Sequence, residues 1–239
     1  MAASVRQPGW HRRANGRLDV RQISIAPIGL AGTLQVPAGA YATVVFAHGS
    51  GSSRLSPRNV AVANALNGRG MATLLFDLLT SDEEEDRANV FDIPLLAGRL
   101  IDAVRWLDRE ALVGGIPLGL FGASTGAAAA LVAAAELRDR IGAIVSRGGR
   151  PDLAGAALDK IYTPTLLIVG GNDPVVIELN EQALARLKGA KALEIVPHAS
   201  HLFPEPGALE TVIGYAARWF ERHLGAHQAA GGDNTRSQD

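Results

Sequence analysis

Short apolar runs recur along the chain, and amphipathic or alanine-rich stretches separate them. Such runs are typical of strands that are buried on both faces of a parallel sheet, whereas the stretches between them have helical spacing. Strands are predicted at 42–47, 71–76, 117–123, 141–145, 165–169 and 192–196, and helices at 59–68, 92–112, 127–135, 176–187 and 204–224.

The first part of the pattern differs, because apolar and polar residues alternate in two segments, 20–26 and 31–36. Gly29 lies between these segments and Pro37 follows the second, so an antiparallel hairpin with one wetter face is predicted. A hairpin that leads into alternating strands and helices indicates an α/β fold with a mostly parallel sheet and helices on both faces. Ligands of such sheets bind beyond the carboxyl ends of the strands.

The chain has 239 residues, enough for one larger α/β domain, which is predicted at residues 19–225. Residues 1–18 are predicted to be a flexible arm and residues 226–239 a disordered tail. The arm is rich in arginine but no apolar segment follows it, so it does not resemble a secretory signal. No apolar run is long enough for a transmembrane helix, and we expect a cytoplasmic protein.

Net charge and cysteine content exclude some classes of binding partner and of catalytic or metal site. The net charge of −1 gives no strong field for a nucleic acid or an anionic membrane, so neither is expected as a partner. The absence of cysteine excludes disulfides, thiolate metal sites and a cysteine nucleophile. The acidic run at 80–86 is expected to be a solvated loop. A metal site is the alternative there, although nothing in the spacing demands one.

A glycine-flanked serine, Ser124 in Gly122-Ala123-Ser124-Thr125-Gly126, lies between a predicted strand and a predicted helix. A strand that turns at once into a helix needs glycines at both sides of the turn, because a Cβ there would collide with neighbouring elements. The serine is then held in a strained turn with its hydroxyl exposed, as a nucleophile requires. A helix N-cap and a dinucleotide-binding turn are the alternatives.

A serine nucleophile needs a base to take its proton and an acid to orient that base. Asp173 and His201 follow the next strands in the order Ser, Asp, His, which is the order expected for a strand–helix elbow. We therefore predict Ser124, Asp173 and His201 as the catalytic residues. The competing candidates are His198 for the base, and Asp77 and Glu178 for the acid.

Stabilisation of the oxyanion requires N–H donors beside the nucleophile. The backbone of Thr125 is the first candidate, and the backbone of Ser50, in the glycine-rich loop after the strand at 42–47, is the second. His48 is predicted to hold this loop by a side-chain hydrogen bond. Gly51, in the same loop, leaves space for the substrate and is a candidate binding residue.

Two arginines, Arg147 and Arg150, follow the strand at 141–145. Either side chain is suited to binding a substrate carboxylate, because a guanidinium can donate two parallel hydrogen bonds to it. Surface salt bridges are the alternative role for both.

The candidate residues lie in four motifs that span nearly the whole predicted core: His48-Gly49-Ser50-Gly51, Gly122-Ala123-Ser124-Thr125-Gly126, Asn172-Asp173-Pro174 and His198-Ala199-Ser200-His201-Leu202-Phe203. In this order they resemble the motifs of α/β-hydrolases, and more narrowly those of the small dienelactone-hydrolase-like branch. The resemblance implies an eight-stranded sheet without a large cap, and carboxylester hydrolysis without a metal or organic cofactor. Dienelactone hydrolases proper carry a cysteine where this chain has Ser124, which favours a general carboxylesterase.

The sequence therefore predicts a serine carboxylesterase that cleaves small esters through an acyl-enzyme. Lactones, thioesters and amides would use the same residues. A nucleotide-binding protein is a second hypothesis, but its motif is expected in the first βαβ unit, whereas Gly122–Gly126 lies in mid-chain. A hydrolase-like protein that only binds ligands is the third.

Overall fold

The computed structural model describes residues 17–225, so nearly all of the predicted arm and all of the predicted tail lie outside the described residues. Eight strands form the sheet: β1 (Leu18–Ile25), β2 (Leu30–Pro37), β3 (Ala42–Ala47), β4 (Met71–Phe76), β5 (Leu118–Ala123), β6 (Ile141–Arg147), β7 (Thr165–Gly170) and β8 (Lys191–Val196). The helices are α1 (Pro57–Asn67), α2 (Ser81–Glu85), α3 (Arg87–Phe91), α4 (Ile93–Leu107), α5 (Thr125–Leu137), α6 (Pro174–Arg186) and α7 (Ala208–Leu224).

The strands form one sheet in the order β1-β2-β4-β3-β5-β6-β7-β8. Strand β2 pairs antiparallel with β1 and β4, and every pair from β4 to β8 is parallel. The predicted fold class is confirmed. Parallel strands place their carboxyl ends at one edge, so the turns after β3, β5, β6, β7 and β8 lie together there.

Each face of the sheet carries its own apolar core, because successive side chains of a strand point to opposite faces. In β3, Val44 and Phe46 join the core under α1 and α7, whereas Val45 and Ala47 join the core under α4 and α5. All six residues of β3 are buried, which explains why its sequence is a continuous apolar run.

The acidic segment differs from the prediction, because residues 81–85 form the short helix α2 instead of a loop. Thr80 accepts a hydrogen bond from the Glu83 N–H, and the Glu83 carboxylate accepts one from the Thr80 N–H. This reciprocal capping satisfies helix-start donors that a plain loop would leave to water. Glu83 also forms a salt bridge with Arg99 of α4, at 2.7 Å.

Two helix boundaries and one additional element also differ from the pattern. Helix α4 ends at Leu107, before the predicted end at 112, and the chain then turns towards β5. Helix α7 begins at Ala208 after a left-handed Gly207, not at residue 204. Residues 151–160, for which no element was predicted, form 3₁₀ turns interrupted at Gly155. These turns are all that separates β6 from the approach to β7, so no large cap is inserted there.

No helix in residues 17–225 combines the length and the apolarity needed to cross a membrane.

Candidate active site

Ser124 occupies the turn between β5 and α5 with φ 50° and ψ −122°. Residues other than glycine rarely adopt this backbone conformation, so contacts with the surrounding structure must hold Ser124 in it. The Ser124 N–H donates to the Arg147 carbonyl at 3.3 Å, and the Ser124 carbonyl accepts from the Arg150 N–H at 3.1 Å. Two backbone bonds to the turn after β6 therefore fix the strained serine.

The two flanking glycines are required by close backbone approach. A Cβ on Gly126 would overlap the carbonyl oxygens of Ala47 and His48, and a Cβ on Gly122 would overlap the backbone of Ala127. Helix α5 therefore begins directly against the end of β3, as the sequence pattern predicts. This contact also brings the turn that follows β3 to the nucleophile.

His201 and Asp173 lie on the turns after β8 and β7, and the structure brings their side chains together. The His201 Nδ1 lies 2.7 Å from the Asp173 Oδ2, with side-chain exposures of 38% and 17%. With Nδ1 donating its proton to the carboxylate, Nε2 carries the lone pair that a base needs. The geometry therefore assigns the acceptor role to Nε2.

The His201 ring lies beside the turn that holds Ser124. A Cβ built on Gly148 would lie 3.6 Å from the His201 Cε1, and Gly148 directly follows Arg147, whose carbonyl binds Ser124. Within residues 17–225, Ser124 Oγ and His201 Nε2 form no hydrogen bond. Catalytic hydrogen bonds are often loose in unliganded enzymes and tighten when substrate binds.

The two competing acids are hydrogen-bonded to other residues, and the competing base is exposed to solvent. His198 is exposed, and its carbonyl accepts from the Asn172 side chain at 2.9 Å. The Asp77 carboxylate accepts hydrogen bonds from the Arg54 backbone N–H, at 2.8 Å, and from the Arg54 guanidinium. Glu178 is exposed on α6 and accepts from Gln182 at 3.2 Å.

The glycine-rich loop after β3 packs against Ser124. A Cβ on Gly49 would lie 2.9 Å from the Ser124 Cβ. The next N–H, that of Ser50, donates to the Thr125 hydroxyl at 3.0 Å, while Gly51 is exposed with φ 66°. The Ser50 N–H therefore points towards the start of α5, beside the Thr125 backbone.

His48 is 6% exposed, and hydrogen bonds of its ring hold this loop in place. Its Nε2 accepts from the Leu78 N–H at 3.0 Å, so Nδ1 carries the proton and donates to the Gly49 carbonyl, also at 3.0 Å. Both ring nitrogens are used, which leaves His48 no free nitrogen for proton transfer. The Arg54–Asp77 ion pair ties the far end of the loop to the end of β4.

A small recess opens beside the Ser50 loop, and it is lined by apolar side chains (Leu78, Leu79, Val90 and Leu96) and by polar ones (His48, Glu84 and Thr125). A cavity of about 640 Å³ lies instead at the amino ends of β6 and β7, around Tyr162 and Pro164, and contains none of the candidate residues.

Groups of three metal-binding side chains do not occur within residues 17–225.

The two predicted arginines have opposite surroundings. Arg150 donates to both oxygens of Asp152, at 2.9 and 2.7 Å. Arg147 is 7% exposed, and its guanidinium lies 5.9 Å from the centre of the Phe121 ring. Burial lowers the pKa of Arg147 to about 10, with a smaller contribution from the nearby positive charge of Arg58.

Sequence reasoning missed two residues of this edge. Arg58, in the first turn of α1, lies near enough to Arg147 for its positive charge to lower the pKa of Arg147. Glu205 accepts a hydrogen bond from the Ser200 N–H at 2.9 Å, next to His201, and hydrogen bonding by Ser200, chiefly by its side chain, lowers the pKa of the Glu205 carboxyl. Neither residue has a spacing or motif that predicts its contacts.

Comparison with proteins of known structure shows strong similarity to a dienelactone hydrolase from Anabaena variabilis. The identity is 52%, the TM-score is 0.83, and the match covers 88% of this chain and 100% of that chain. The esterase Est1E from Butyrivibrio proteoclasticus is 18% identical with a TM-score of 0.71, over 85% of this chain and 99% of its own, and shares the fold. No family model matches the sequence.

Curated relatives in two strains of Mycobacterium tuberculosis are 58% identical over 203 residues. Both carry a provisional name, phosphoribosyl transferase. The match covers 85% of this chain but only 46% of each relative, so the chain spans about half the length of these proteins.

Proposed function

Because the chain belongs to the dienelactone-hydrolase-like α/β-hydrolases, we propose that it is a serine hydrolase that cleaves small carboxylic esters through an acyl-enzyme at Ser124. Hydrolase chemistry follows from the family. The choice of Ser124, His201 and Asp173 as its machinery, and of an ester as its substrate, is our proposal.

In the proposed mechanism, His201 Nε2 removes the Ser124 proton as the oxygen attacks the ester carbonyl. Asp173 keeps the proton on Nδ1 and stabilises the imidazolium that forms. His201 then protonates the departing alcohol. A water molecule, deprotonated by the same nitrogen, releases the acid and restores Ser124.

The developing oxyanion would be bound by the N–H groups of Thr125 and Ser50. The Ser50 N–H donates to the Thr125 hydroxyl at 3.0 Å, so it is already held on the side of the nucleophile. The oxyanion would share or replace that acceptor.

One observation carries the proposal: the strained Ser124 turn is fixed by backbone bonds at the same sheet edge where His201 and Asp173 are joined at 2.7 Å. Strain of this kind persists only where surrounding structure imposes it, and it occurs often at catalytic residues. An ordinary helix N-cap would not require it. The Ser124 side chain makes no N-cap hydrogen bond to α5.

The test is hydrolysis of p-nitrophenyl acetate and butyrate by the wild type and by Ser124→Ala. The exposed Ser81 of α2 supplies the matched control, Ser81→Ala. We expect turnover by the wild type and by the control, and none above background by Ser124→Ala. Equal turnover by Ser124→Ala and wild type would refute the proposal.

Lactone hydrolysis is a second candidate, because the relative at 52% identity is named a dienelactone hydrolase. A lactone is a cyclic ester, so the same residues would open it. Dihydrocoumarin, assayed beside the acyclic esters with the same variants, distinguishes the two. A higher kcat/KM for the lactone would favour it as the substrate class.

The transferase name of the mycobacterial relatives is not part of our proposal for this chain. More than half of each relative lies outside the match, and we infer that the name refers to that part. In this chain the glycine-rich turn follows the fifth strand, and the next strand ends at Arg147 where a dinucleotide-binding unit needs an acidic residue.

A further inference from the structure

The end of β6 and the turn after it hold Ser124 from both sides. The Arg147 carbonyl accepts from the Ser124 N–H at 3.3 Å, and the Arg150 N–H donates to the Ser124 carbonyl at 3.1 Å. A Cβ on Gly148 would lie 2.9 Å from the His201 carbonyl oxygen, so this turn also packs against the turn that carries the candidate base. The conformation of the turn therefore sets the position of Ser124 relative to His201.

This turn has little stiffness of its own, because its two central residues are Gly148 and Gly149, and glycine adopts more backbone conformations than any other residue. Gly148 has φ 50°, which residues with a side chain rarely adopt. A Cβ on Gly149 would overlap the Ser146 hydroxyl and the Ala127 Cβ, so a bulkier residue cannot stiffen that position. A contact from outside the turn is therefore needed to fix the orientation of its peptide groups.

Asn180 of α6 supplies such a contact. Its side chain is fully buried, and its Nδ2 donates to the Gly149 carbonyl at 3.1 Å and to the Val176 carbonyl at 2.7 Å. Both partners are acceptors only, so the amide must turn its NH₂ group, and not its oxygen, towards them. The bond to Val176 lies within α6, whereas the bond to Gly149 joins α6 to the turn that holds Ser124.

The Gly149 carbonyl and the Arg150 N–H belong to one peptide group, which is planar and rigid. Asn180 binds the oxygen of this group, and the Ser124 carbonyl accepts from its N–H. Because orienting one end of the group orients the other, Asn180 acts on the strained Ser124 backbone through a single peptide. Hydrogen bonds in series also polarise and strengthen one another.

Helix α6 positions the candidate acid as well. Asp173 immediately precedes the first residue of α6, and the Asp173 carbonyl accepts from the Ile177 N–H at 2.9 Å. Asn180 follows about two turns later on the same helix. One helix thus carries both the partner of His201 and the residue that fixes the Ser124 turn.

A second buried asparagine makes the same kind of contact far from Ser124, which allows stability and positioning to be separated. Asn67, the last residue of α1, donates from Nδ2 to the Met71 carbonyl at 3.0 Å and to the Thr73 hydroxyl at 3.1 Å. These groups lie in the first half of β4, towards the opposite edge of the sheet. Both asparagines make buried hydrogen bonds, but only Asn180 acts on a peptide that binds the candidate nucleophile.

We propose that Asn180 is a positioning residue of the candidate active site, which holds Ser124 in its strained conformation through the Gly149–Arg150 peptide. The proposal rests on the proposed function and adds to it a residue that touches neither the substrate nor the reacting atoms. Without the Asn180 donor this peptide can rotate, and the Ser124 carbonyl loses a fixed partner. The Ser124 hydroxyl is then less often aligned with His201 Nε2.

The kinetic test compares Asn180→Leu with Asn67→Leu in the hydrolysis of p-nitrophenyl butyrate, at a temperature well below the Tm of both variants. Each substitution removes buried N–H donors and keeps a side chain of similar size, so both should lower the Tm by about 3–6 °C. We expect kcat to fall about 10- to 100-fold in Asn180→Leu, with KM within about threefold of the wild-type value. In Asn67→Leu, kcat and KM should equal those of the wild type.

Alanine, a strong helix former that also lacks the donor, replaces leucine at both positions if either variant fails to fold. A fall in kcat of equal size in the Asn180 and Asn67 variants would overturn the proposal, because it would reflect a general effect of lost stability. Wild-type kcat in the Asn180 variant would overturn it as well.

Amide hydrogen exchange, followed by NMR, provides a readout that does not depend on turnover. The Arg150 N–H, which binds the Ser124 carbonyl, should exchange at least about 10-fold faster in Asn180→Leu than in Asn67→Leu. Equal exchange of the Arg150 amide in the two variants would mean that the peptide keeps its orientation without Asn180, and would contradict the proposal.

The positioning role and the proposed function fail in different ways. If the wild type hydrolyses esters through Ser124 and Asn180→Leu keeps the wild-type kcat, the positioning role is refuted and the hydrolase stands. If the wild type hydrolyses no ester, the esterase is refuted, and exchange of the Arg150 amide still decides whether Asn180 holds the Ser124 turn.

Discussion

The end of β6 and the turn after it carry two arginines, Arg147 and Arg150, with opposite surroundings. Arg150 is joined to Asp152 by two hydrogen bonds and is partly exposed. Arg147 is buried, has no carboxylate partner within the described residues and lies near a second arginine. Both hold Ser124 through their backbones. The two side chains therefore differ in what compensates their charge, which is a carboxylate for Arg150 and only the face of the Phe121 ring for Arg147.

The same contrast separates two halves of the active-site edge. Around Ser124, His201 and Asp173, the strained turn, the glycine contacts and the carboxylate–histidine pair are mutually supported. Around Arg147 and Arg58, polar groups are buried without partners. Substitution in the first half should therefore cost activity or stability, whereas removal of Arg147 should increase stability.

The largest effect is expected from Asp173→Asn. The amide cannot hold the proton on His201 Nδ1, so Nε2 loses its role as base, and kcat should fall about 10⁴-fold. The control is Asp152→Asn, which loosens Arg150 and should change kcat by no more than about threefold. Steady-state kinetics with p-nitrophenyl butyrate measure both variants. Comparable losses of kcat in the two variants would contradict the special role of the Asp173 carboxylate.

Gly126→Ala is expected to destabilise the fold by about 3 kcal/mol or more, because the new methyl group overlaps the Ala47 and His48 carbonyls. Gly98→Ala in α4 is the control, since a Cβ there meets nothing within 4 Å. It should stabilise the helix by about 0.5–1 kcal/mol. Urea unfolding gives both values, and equal effects would contradict the close approach at the start of α5.

Arg147→Met is expected to raise the free energy of unfolding at neutral pH by up to about 3 kcal/mol. Burial lowers the pKa of Arg147 to about 10, so the folded chain binds the proton less tightly than the unfolded chain does. The destabilisation is therefore complete below pH 10 and declines only above it. The gain from Arg147→Met should accordingly persist across the neutral range.

Urea unfolding at neutral pH measures this gain. Arg150→Met is the matched comparison, because its partly exposed ion pair contributes no more than about 1 kcal/mol and its loss should be slightly destabilising. Destabilisation by Arg147→Met as large as that of an ordinary core substitution would mean that Arg147 is a structural residue.

The smallest effect is expected from Glu205→Gln, beside His201. The Glu205 carboxylate accepts from the Ser200 N–H, and hydrogen bonding by Ser200, chiefly by its side chain, lowers the pKa of Glu205. Its stabilising contribution is present above the ordinary carboxyl pKa and is lost as pH falls through the lowered value. The Tm of Glu205→Gln should therefore lie slightly below that of the wild type at about pH 7, and the difference should vanish at about pH 3. A Tm difference between the variant and the wild type that grows as the pH falls would contradict this prediction.

The sequence predicts the parts of the fold that depend on short-range patterns. Strand β4 lies where the apolar run places it, at 71–76, and the Gly-x-Ser-x-Gly turn begins a helix as expected. Helix ends are harder: α7 begins at Ala208 because Gly207 adopts a left-handed conformation, which the amphipathic pattern does not encode. The short helix α2 depends on one capping interaction between Thr80 and Glu83.

The active-site edge divides in the same way. Ser124, Asp173 and His201 could be proposed from strand ends, because a parallel sheet gathers such ends at one edge. The sequence presents Arg147 and Arg150 as equivalent candidates. Only the fold distinguishes them, because Asp152 is close enough to pair with Arg150, while α1 places Arg58 near Arg147.

The central claim is that Ser124 is an activated nucleophile, and a fluorophosphonate probe tests it most directly. The probe reacts with a serine only when a base withdraws its proton and an oxyanion site accepts the product. The account predicts one adduct per chain on the wild type, in the peptide that contains Ser124, and none on Ser124→Ala, as measured by mass spectrometry. An unlabelled wild type, or an adduct that survives in Ser124→Ala, would contradict it.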